Sequence, residues 1–297
     1  GGVVPEYASR EHEKNLINTI NESLNVAKIR MIDLDAIAVT YGPGLMGSLL
    51  VGLNMAKGLS IGLDIPFVGI NHMEGHLFAN LLGKDKIDYP YICLLVSGGH
   101  TQIWVVSQNK YDLISDSIDD AAGEAFDKGA KILGLEYPGG PEIERVSRSG
   151  NPRKYNFPRP EVKKSKFSFS FSGLKTSLLY KCKSMEKEEI KESIADLSAS
   201  YQEAIVDTLI NKLELVINKT QINRVSIAGG VAANKRFREK ADLLIKKHDN
   251  LSVVFPSIEF CTDNAAMIAI AGYYKILDNK LSNYDLTAIP NLSLKNR

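Results

Sequence analysis

Two histidines, His72 and His76, are the residues whose type and spacing best suit metal chemistry. They stand four apart in NHMEGHLFANLL, a segment whose pattern predicts a helix with Asn71 as its N-cap. Residues four apart share one helix face, so both imidazoles can approach a single ion. The apolar strand 66–70 comes directly before, and ligands of α/β proteins collect at the carboxyl ends of strands. Two ordinary surface histidines remain the alternative.

The glutamate within HMEGH argues against a metallopeptidase. In the HExxH motif of those enzymes, Glu directly follows the first His and acts as the general base. Glu74 instead stands two residues after His72, which places it about 200° around the helix at ~100° per residue. A water on the same metal is then out of its reach, so peptidase chemistry is the weaker alternative.

A third ligand is expected far along the chain, at Asp263. This residue lies in the turn CTDN between a predicted strand and a predicted helix. Its competing role is to cap that helix or pair with the helix dipole, although Thr262 could supply the cap instead. Two imidazoles and one carboxylate suit Fe²⁺, Zn²⁺ or Mn²⁺, with a coordination position left open for a substrate.

Three glycine turns could hold phosphate. Residues 97–99 (SGG) and 229–230 (GG) each follow an apolar strand, and 138–140 (PGG) forms the third. Exposed backbone N–H groups bind anions, and a helix after Gly230 would add its positive end. No GxxxxGK[ST] motif occurs, which excludes a P-loop site. The flanking polar residues could bind a ribose or a base, or could simply be solvated; they are Asp127, Glu144 and Asn234.

Strands and helices alternate along the chain, which predicts an α/β protein with a parallel or mixed sheet. Two units, AIAVTYGPGLMGSLL and VSIAGGVAANKRFRE, share a strand–glycine turn–helix pattern and indicate two similar lobes with a cleft between them. The predicted elements include a helix whose apolar face is Leu16, Ile17, Ile20 and Leu24, strands 35–40 and 66–70, a glycine-rich helix from about Leu45, a hairpin over 91–106, helices 186–199 and 200–218, strand 224–230, a helix from about Ala233, and a strand and helix over 252–277.

Composition favours a soluble globular protein in a reducing compartment. The 297 residues are 44% hydrophobic and 24% charged, with a net charge of +1, so any contact with nucleic acid must come from a local patch. The most basic stretch is 153–166, and we expect it to contact an RNA backbone together with Lys235, Arg236 and Arg238. The three cysteines lack CxxC spacing, which argues against disulfides and thiolate zinc. Charged residues and glycines interrupt the apolar stretch 44–70, so no membrane span is expected.

Long motifs over nearly the whole chain resemble the bacterial-type tRNA adenosine threonylcarbamoyltransferases. This is the TsaD family, formerly called Gcp or O-sialoglycoprotein endopeptidase. The motifs are GGVVPEYASREH, TYGPGLMGSLLVG, NHMEGH, LLVSGGHTQIW, DDAAGEAFDKGAKILGLEYPGGP, FSFSGLKT, AGGVAANKRFRE and FPSIEFCTDNAAMIA. The resemblance implies an actin/Hsp70-like ATPase (ASKHA) fold with two ribonuclease H-like lobes. We expect the first lobe to comprise 1–90 plus 264–297 and the second 91–263.

The resemblance also implies the reaction. A threonylcarbamoyl group would pass from threonylcarbamoyl-AMP to the exocyclic amine of the adenosine 3′ of the anticodon in tRNAs reading ANN codons, releasing AMP. It puts the metal on His72, His76 and Asp263, with Fe²⁺ expected first and Zn²⁺ second. It puts the substrate, or an ATP-like nucleotide, on Leu95, Val96, Ser97, Gly98, Gly99, Asp127, Gly140, Glu144 and Asn234. The family often has Asp where Glu144 stands. No general acid or base is assigned.

Partners and location follow from the same resemblance. Besides tRNA, we expect an inactive paralogue that pairs through first-lobe helices, a small ATPase, and a cytoplasmic location. Family members carry an acidic, hydroxyl-rich phosphate loop in a hairpin before GGVVPE; we expect the first lobe here to lack that hairpin. A non-enzymatic actin-like scaffold or a sugar-kinase relative is a further alternative, but a kinase needs carboxylates for Mg²⁺ rather than imidazoles.

Overall fold

The structure is a computed structural model that describes residues 4–83, 87–108, 110–163 and 165–294. Two compact units divide the chain, the first within Gly1–Leu82 and Asn264–Leu294 and the second within Gly83–Asp263. In chain order the elements are α1 (Pro5–Ala27), β1 (Ile37–Gly42), α2 (Met46–Leu63), β2 (Phe67–Asn71), α3 (His72–Phe78), β3 (Tyr91–Val96), β4 (Thr101–Ser107), β5 (Lys110–Asp116), α4 (Ala122–Leu133), α5 (Gly139–Ser147), α6 (Ser172–Lys183), α7 (Lys187–Thr220), β6 (Arg224–Ala228), α8 (Lys235–Lys247), β7 (Ser252–Val254) and α9 (Ala265–Leu277).

The first unit has a parallel pair of strands, β1 and β2, as the patterns of 35–40 and 66–70 predict. Ile37 pairs with Phe67, and helix α2 makes the crossover between the strands. Tyr41, Phe67 and Leu53 form its core with neighbouring apolar residues. Strand β2 is buried throughout, and α3 begins at the next residue. Helix α3, which carries His72 and His76, therefore begins where the buried strand β2 ends.

Helices α1 and α2 leave much apolar surface exposed in the first unit. Helix α1 has no fully buried residue, and Ile17 is 58% exposed rather than on the packed face with Leu16, Ile20 and Leu24, which are half-buried. Gly47 of α2 packs internally, because an added Cβ would lie 2.9 Å from the Cβ of Ser9. The length and composition of α2 alone would allow it to cross a membrane, and 22% of the helix is buried. Core helices of soluble proteins often have the same length and composition, so one such helix is weak evidence for a membrane span.

The second unit has a mixed five-stranded sheet in the order β5-β4-β3-β6-β7. Strand β3 pairs antiparallel with β4 and parallel with β6, and β6 pairs parallel with β7. The predicted hairpin over 91–106 is therefore confirmed, whereas β5 was not anticipated from its weakly alternating sequence. Helices α4 and α7 contribute Phe126, Tyr201 and Leu209 to a large core against the sheet.

Three predicted boundaries were wrong in this unit. Residues 186–199 and 200–218 form one helix, α7, because Ser200 bonds to the loop carbonyl of Asn151 instead of breaking its own helix. Gly139 and Gly140 begin α5 rather than ending a loop. Residues 230–233 form a 3-10 turn, and α8 starts only at Lys235 because Asn234 is its N-cap.

Candidate metal centre and glycine-turn site

The start of α3 places two imidazoles side by side. Asn71 caps the helix, as predicted, by accepting the Met73 N–H through its side-chain oxygen at 2.9 Å. His72 is half-buried and His76 is 2% exposed, and their ring centroids lie 4.8 Å apart at nearly right angles. The i, i+4 spacing thus brings both rings to one end of α3, where the two imidazoles can approach a single ion.

Asp263 completes a set of three ligand-type side chains. One ligand atom each from Asp263, His72 and His76 lie within 4.8 Å of one another. Ligands of one ion bound at about 2.0–2.2 Å lie up to roughly 4 Å apart, so small side-chain rotations suffice to close this set. A His/Asp donor set at this separation fits a divalent transition metal.

The helix after Asp263 is capped by neither of the two residues that the sequence suggested, Asp263 and Thr262. Asn264, not Thr262, is the N-cap of α9, and its side-chain oxygen accepts the Met267 N–H at 2.8 Å. Asn satisfies the first turn as well as Asp does. Asp263 is consequently not needed as the cap, and its peptide bond to Asn264 ties it to the beginning of α9.

Glu74 forms a buried ion pair with α9. Its Oε2 lies 2.6 Å from Nζ of Lys275, and these side chains are only 8% and 18% exposed. The next residue, Gly75, lets the two helices approach closely, because an added Cβ would lie 2.7 Å from Cδ1 of Ile268. The carboxylate therefore fastens α3 to α9. Lys275 was not anticipated, because no sequence pattern links it to HMEGH.

In the second unit, two glycine turns lie at the same edge of the sheet. Strands β3 and β6 run parallel with Leu95 opposite Ala228, so the turns 97–99 and 229–230 follow neighbouring strand ends. Gly229 has φ +90°, and an added Cβ would overlap the carbonyl oxygen of Val96. Only glycine satisfies both constraints. This close approach holds the two turns against each other.

The first of these turns presents open backbone. The Ser97 N–H donates to the His100 carbonyl at 2.8 Å, and the His100 N–H donates to Ser97 Oγ at 3.1 Å. Gly98 and Gly99 between them are exposed, and added Cβ atoms there would meet nothing within 4 Å. Leu95 and Val96 differ, because their side chains are fully buried and only their backbone could reach a ligand.

The polar residues predicted to bind substrate already hold neighbouring elements together. Asp127 accepts the Gly139 N–H at 2.8 Å, which joins α4 to the beginning of α5. Glu144 accepts the Lys235 N–H at 3.3 Å and so joins α5 to α8. Gly140 lies on α5 between these contacts, with open space at its Cβ position. The residues that flank the turns are thus gathered around two helix N-termini, where N–H groups favour anions.

Asn234 links the beginning of α8 to α7. Its side-chain oxygen accepts the Phe237 N–H at 3.0 Å, and its Nδ2 donates to Oε1 of Gln202 at 2.8 Å. Gln202 in turn donates to Ser147 Oγ at 2.8 Å. Gln202 was missed, because a lone glutamine within a long helix carries no signal.

The cysteines are not suited to nucleophilic chemistry. Cys93, Cys182 and Cys261 are all buried and free. Burial raises the pKa of the Cys93 thiol to about 12, although a hydrogen bond with Ser226 opposes the shift. A thiol with such a pKa contributes almost no thiolate at neutral pH.

Comparisons with known proteins agree with one another. The sequence profile of the tRNA N6-adenosine threonylcarbamoyltransferases (TsaD) matches residues 1–270. The protein of that name from Thermosipho melanesiensis is 51% identical over 294 residues, covering 99% of this chain and 88% of the relative. The one from Kosmotoga olearia is 50% identical over 295 residues, with the same two coverages.

Solved structures bear on the fold alone, because their identity is low. HypF in its phosphate- and nucleotide-bound form superposes with a TM-score of 0.62 at 15% identity, over 88% of this chain and 41% of HypF. T. kodakarensis HypF gives 0.63 at 14% identity, over 84% and 42%. The predicted α/β fold of the actin/Hsp70-like ATPase (ASKHA) class is confirmed.

Proposed function

The chain belongs to the tRNA N6-adenosine threonylcarbamoyltransferase family, and we propose how its residues divide that reaction between them. It is a transferase that modifies tRNA: the threonylcarbamoyl group passes to the exocyclic amine of the adenosine 3′ of the anticodon in tRNAs reading ANN codons. The donor is threonylcarbamoyl-AMP, and AMP leaves. The observation that carries the proposal is the approach of His72, His76 and Asp263 within 4.8 Å. Nothing in the comparisons supports a peptidase.

His72, His76 and Asp263 hold one divalent ion in this proposal. Two imidazoles and a carboxylate suit Fe²⁺ first and Zn²⁺ second. When bound, the ion supplies Lewis acidity toward the carbonyl or a phosphate oxygen of the donor. The residues themselves provide orientation: Asn71 determines where α3 begins, and the Glu74–Lys275 pair keeps α3 against α9.

The glycine-turn site (residues 97–99, 229–230 and 139–140) holds the AMP portion of the donor. The N–H groups of the exposed Gly98 and Gly99 suit the phosphate, and the N-termini of α5 and α8 add positive potential. Asp127, Glu144 and Asn234 are the polar groups nearest these N-termini and serve the ribose or the base. Leu95 to Gly99 contribute through the backbone, in keeping with the buried side chains of Leu95 and Val96.

Transfer is direct, with no acyl-enzyme intermediate. The adenosine amine attacks the carbamoyl carbon, the new C–N bond forms, the bond from that carbon to the phosphate oxygen breaks, and the amine gives up one proton. The buried cysteines support this route, since none offers an accessible thiolate. A mixed anhydride is already activated, so no nucleophilic side chain is required.

The remaining partners are an inactive paralogue and a small ATPase, and the protein works in the cytoplasm. We assign the paralogue to α1 and α2 of the first unit. Tyr7 and Val26 of α1 are 70% and 78% exposed, and Ile61 of α2 is 65% exposed. An apolar surface of this kind is typical of a protein interface.

Mass spectrometry of tRNA nucleosides tests the proposal. Wild-type protein, threonylcarbamoyl-AMP, unmodified tRNA and the partners should yield threonylcarbamoyladenosine, and His72→Ala/His76→Ala should yield none and bind no metal. His248→Ala is the control, because that histidine directly follows α8, away from α1 and α2, and its ring pairs with Glu214. Full modification by a metal-free double variant would disprove the role of the metal. Metal-dependent cleavage of a glycoprotein by the pure protein would support a peptidase instead.

A further inference from the structure

The turn 151–155 is ordered by hydrogen bonds to α7. The Asn151 N–H donates to Oδ1 of Asp196 at 2.6 Å, and the Tyr155 N–H donates to Ser200 Oγ at 3.1 Å. Ser200 Oγ donates to the Asn151 carbonyl at 3.1 Å, and the Arg153 N–H donates to the Asn151 side chain at 2.9 Å. Both ends of this surface turn are therefore fixed, and its side chains leave the surface in defined directions.

The side chains of this turn are basic and uncompensated. Arg153 and Lys154 are exposed, and neither side chain makes an ion pair or hydrogen bond with any residue that the structure describes. Tyr155 follows, half-buried, with Nζ of Lys181 5.1 Å from its ring centroid. The ordered turn thus presents two exposed cations directly before an aromatic ring that has a third cation, Lys181, over it.

A cavity of about 430 Å³ opens beside the turn, and its acidic residues are neutralised from within. Arg159 lies 2.7 Å from Asp207, and Lys240 lies 2.6 Å from Glu203 and 2.7 Å from Asp207. Burial by itself raises the pKa of Glu203, but hydrogen bonds from Arg236 and Lys240 outweigh it and lower that pKa. The carboxylates stay paired, so the positive charge of Arg153 at the cavity is unopposed.

Two of the other cations that the sequence predicted for RNA, Arg236 and Arg238, bond to neighbouring protein groups. Arg236 bonds to both Glu203 oxygens, at 2.7 and 2.9 Å, and to Glu239. Arg238 donates to the carbonyl oxygens of Ala232 and Pro256. Lys164 of the basic stretch lies outside the described residues. Arg236 and Arg238 thus have protein partners, whereas Lys163 and Lys235 are exposed, as Arg153 and Lys154 are.

Resting on the proposed function, we propose that the turn 151–155 and the adjoining cavity mouth form a contact surface for the backbone of the substrate tRNA. Arg153 and Lys154 bind phosphates, and the Tyr155 ring stacks against a base. RNA is the occupant that matches both features, because it offers anionic groups at regular spacing beside flat rings. An isolated phosphate would use only the cations.

Salt-dependent tRNA binding tests this surface. Arg153→Ala/Lys154→Ala should weaken tRNA binding about 10-fold near physiological salt and reduce the log–log salt slope by about 1.5–2. Lys187→Ala/Lys191→Ala removes the same charge from exposed positions of α7 and is the matched control. Tyr155→Ala should weaken binding roughly 5- to 100-fold while Tyr155→Phe binds as the wild type does. Affinity for AMP and for inorganic phosphate should stay unchanged in every variant.

The outcomes separate this inference from the function beneath it. If wild-type protein modifies tRNA while Arg153→Ala/Lys154→Ala binds tRNA with unchanged affinity and slope, only the contact surface is wrong. An equal loss in the Lys187→Ala/Lys191→Ala control would also overturn it, because binding would then follow net charge alone. If the wild-type protein modifies no tRNA, both the contact surface and the proposed function are wrong. Weaker binding of inorganic phosphate in the Arg153→Ala/Lys154→Ala variant would replace RNA with a free anion as the occupant.

Discussion

The candidate metal centre would bind its ligand through side chains, whereas the glycine-turn site would bind its ligand through the backbone. At the candidate metal centre, His72, His76 and Asp263 would act through side chains, and the side chains of Asn71, Glu74 and Lys275 position α3. In the second unit, the exposed groups at 97–99 and Gly140 belong to the backbone, while side chains such as Asp127 and Asn234 hold the turns together. We infer that substitutions should distinguish the two sites. Removing a side chain should weaken binding at the metal centre, and adding a Cβ atom at a glycine should weaken binding at the glycine-turn site.

The largest effect is expected at Asp263. Asp263→Ala removes one of three proposed ligands, and a metal's Lewis acidity is worth several kcal/mol, so tRNA modification should fall roughly 10³-fold. Bound metal, measured by elemental analysis, should fall with it. The N-cap of α9 should be retained, because Asn264 rather than Asp263 supplies it. Loss of activity with full metal occupancy would contradict the assignment of Asp263 as a ligand.

The next effect concerns the pair that fastens α3 to α9. Lys275→Ala leaves Glu74 buried without its cation, which should cost about 3 kcal/mol of unfolding free energy in a denaturant titration. Metal affinity should fall about 10-fold or more, since residues that orient ligands act on this scale. Glu74→Gln/Lys275→Met removes both charges and should recover part of the stability. If the double variant is no more stable than Lys275→Ala, the buried charge is not the cause.

More of the candidate metal centre than of the glycine-turn site could be predicted from the sequence. The i, i+4 spacing of His72 and His76 follows from helix geometry alone, and apolar runs flanked by glycine mark β1, β2 and the β3–β4 hairpin. The N-cap of α9, by contrast, depends on which of Thr262, Asp263 and Asn264 has the required geometry, and all three residue types can cap. Lys275 could not be predicted, because its link to Glu74 exists only once α3 and α9 pack together.

Two helix boundaries in the second unit were predicted wrongly, because a local sequence pattern contains no information about tertiary contacts. Two helices, 186–199 and 200–218, were predicted where the structure has the single helix α7. Ser200 bonds to the loop carbonyl of Asn151, a contact that arises from tertiary structure. Gly139 and Gly140 were expected in a turn after Pro138, but they begin α5, and the Gly139 N–H donates to the Asp127 side chain.

Two glycine substitutions test the claim that the second site depends on backbone. Gly229→Ala forces a Cβ onto the Val96 carbonyl at a positive φ and should cost roughly 1–3 kcal/mol of stability, with a lower unfolding temperature. Gly140→Ala meets no protein atom within 4 Å, so it should leave the unfolding temperature unchanged and weaken AMP binding in calorimetry. Metal content should be normal in both. Unchanged AMP affinity in Gly140→Ala would place the nucleotide elsewhere.

The smallest effects are expected from the two asparagine caps, one beside each site. Asn71→Ala and Asn234→Ala each lose a cap worth about 1 kcal/mol. Asn234→Ala should cost about 1 kcal/mol more, because it also leaves the Gln202 carbonyl oxygen without its donor. Asn71→Ala should cost less, since its buried Nδ2 meets no acceptor among the residues that the structure describes.

Ligand binding decides whether the two caps serve separate sites. Asn71→Ala should weaken metal binding and spare AMP, because the cap it removes belongs to α3. Asn234→Ala should weaken AMP binding and spare the metal, because it loosens the beginning of α8 and the link to α7. Calorimetric titration of each variant with AMP and with Zn²⁺ measures both affinities. If either variant loses both by the same factor, the side-chain and backbone sites act as one structure rather than two.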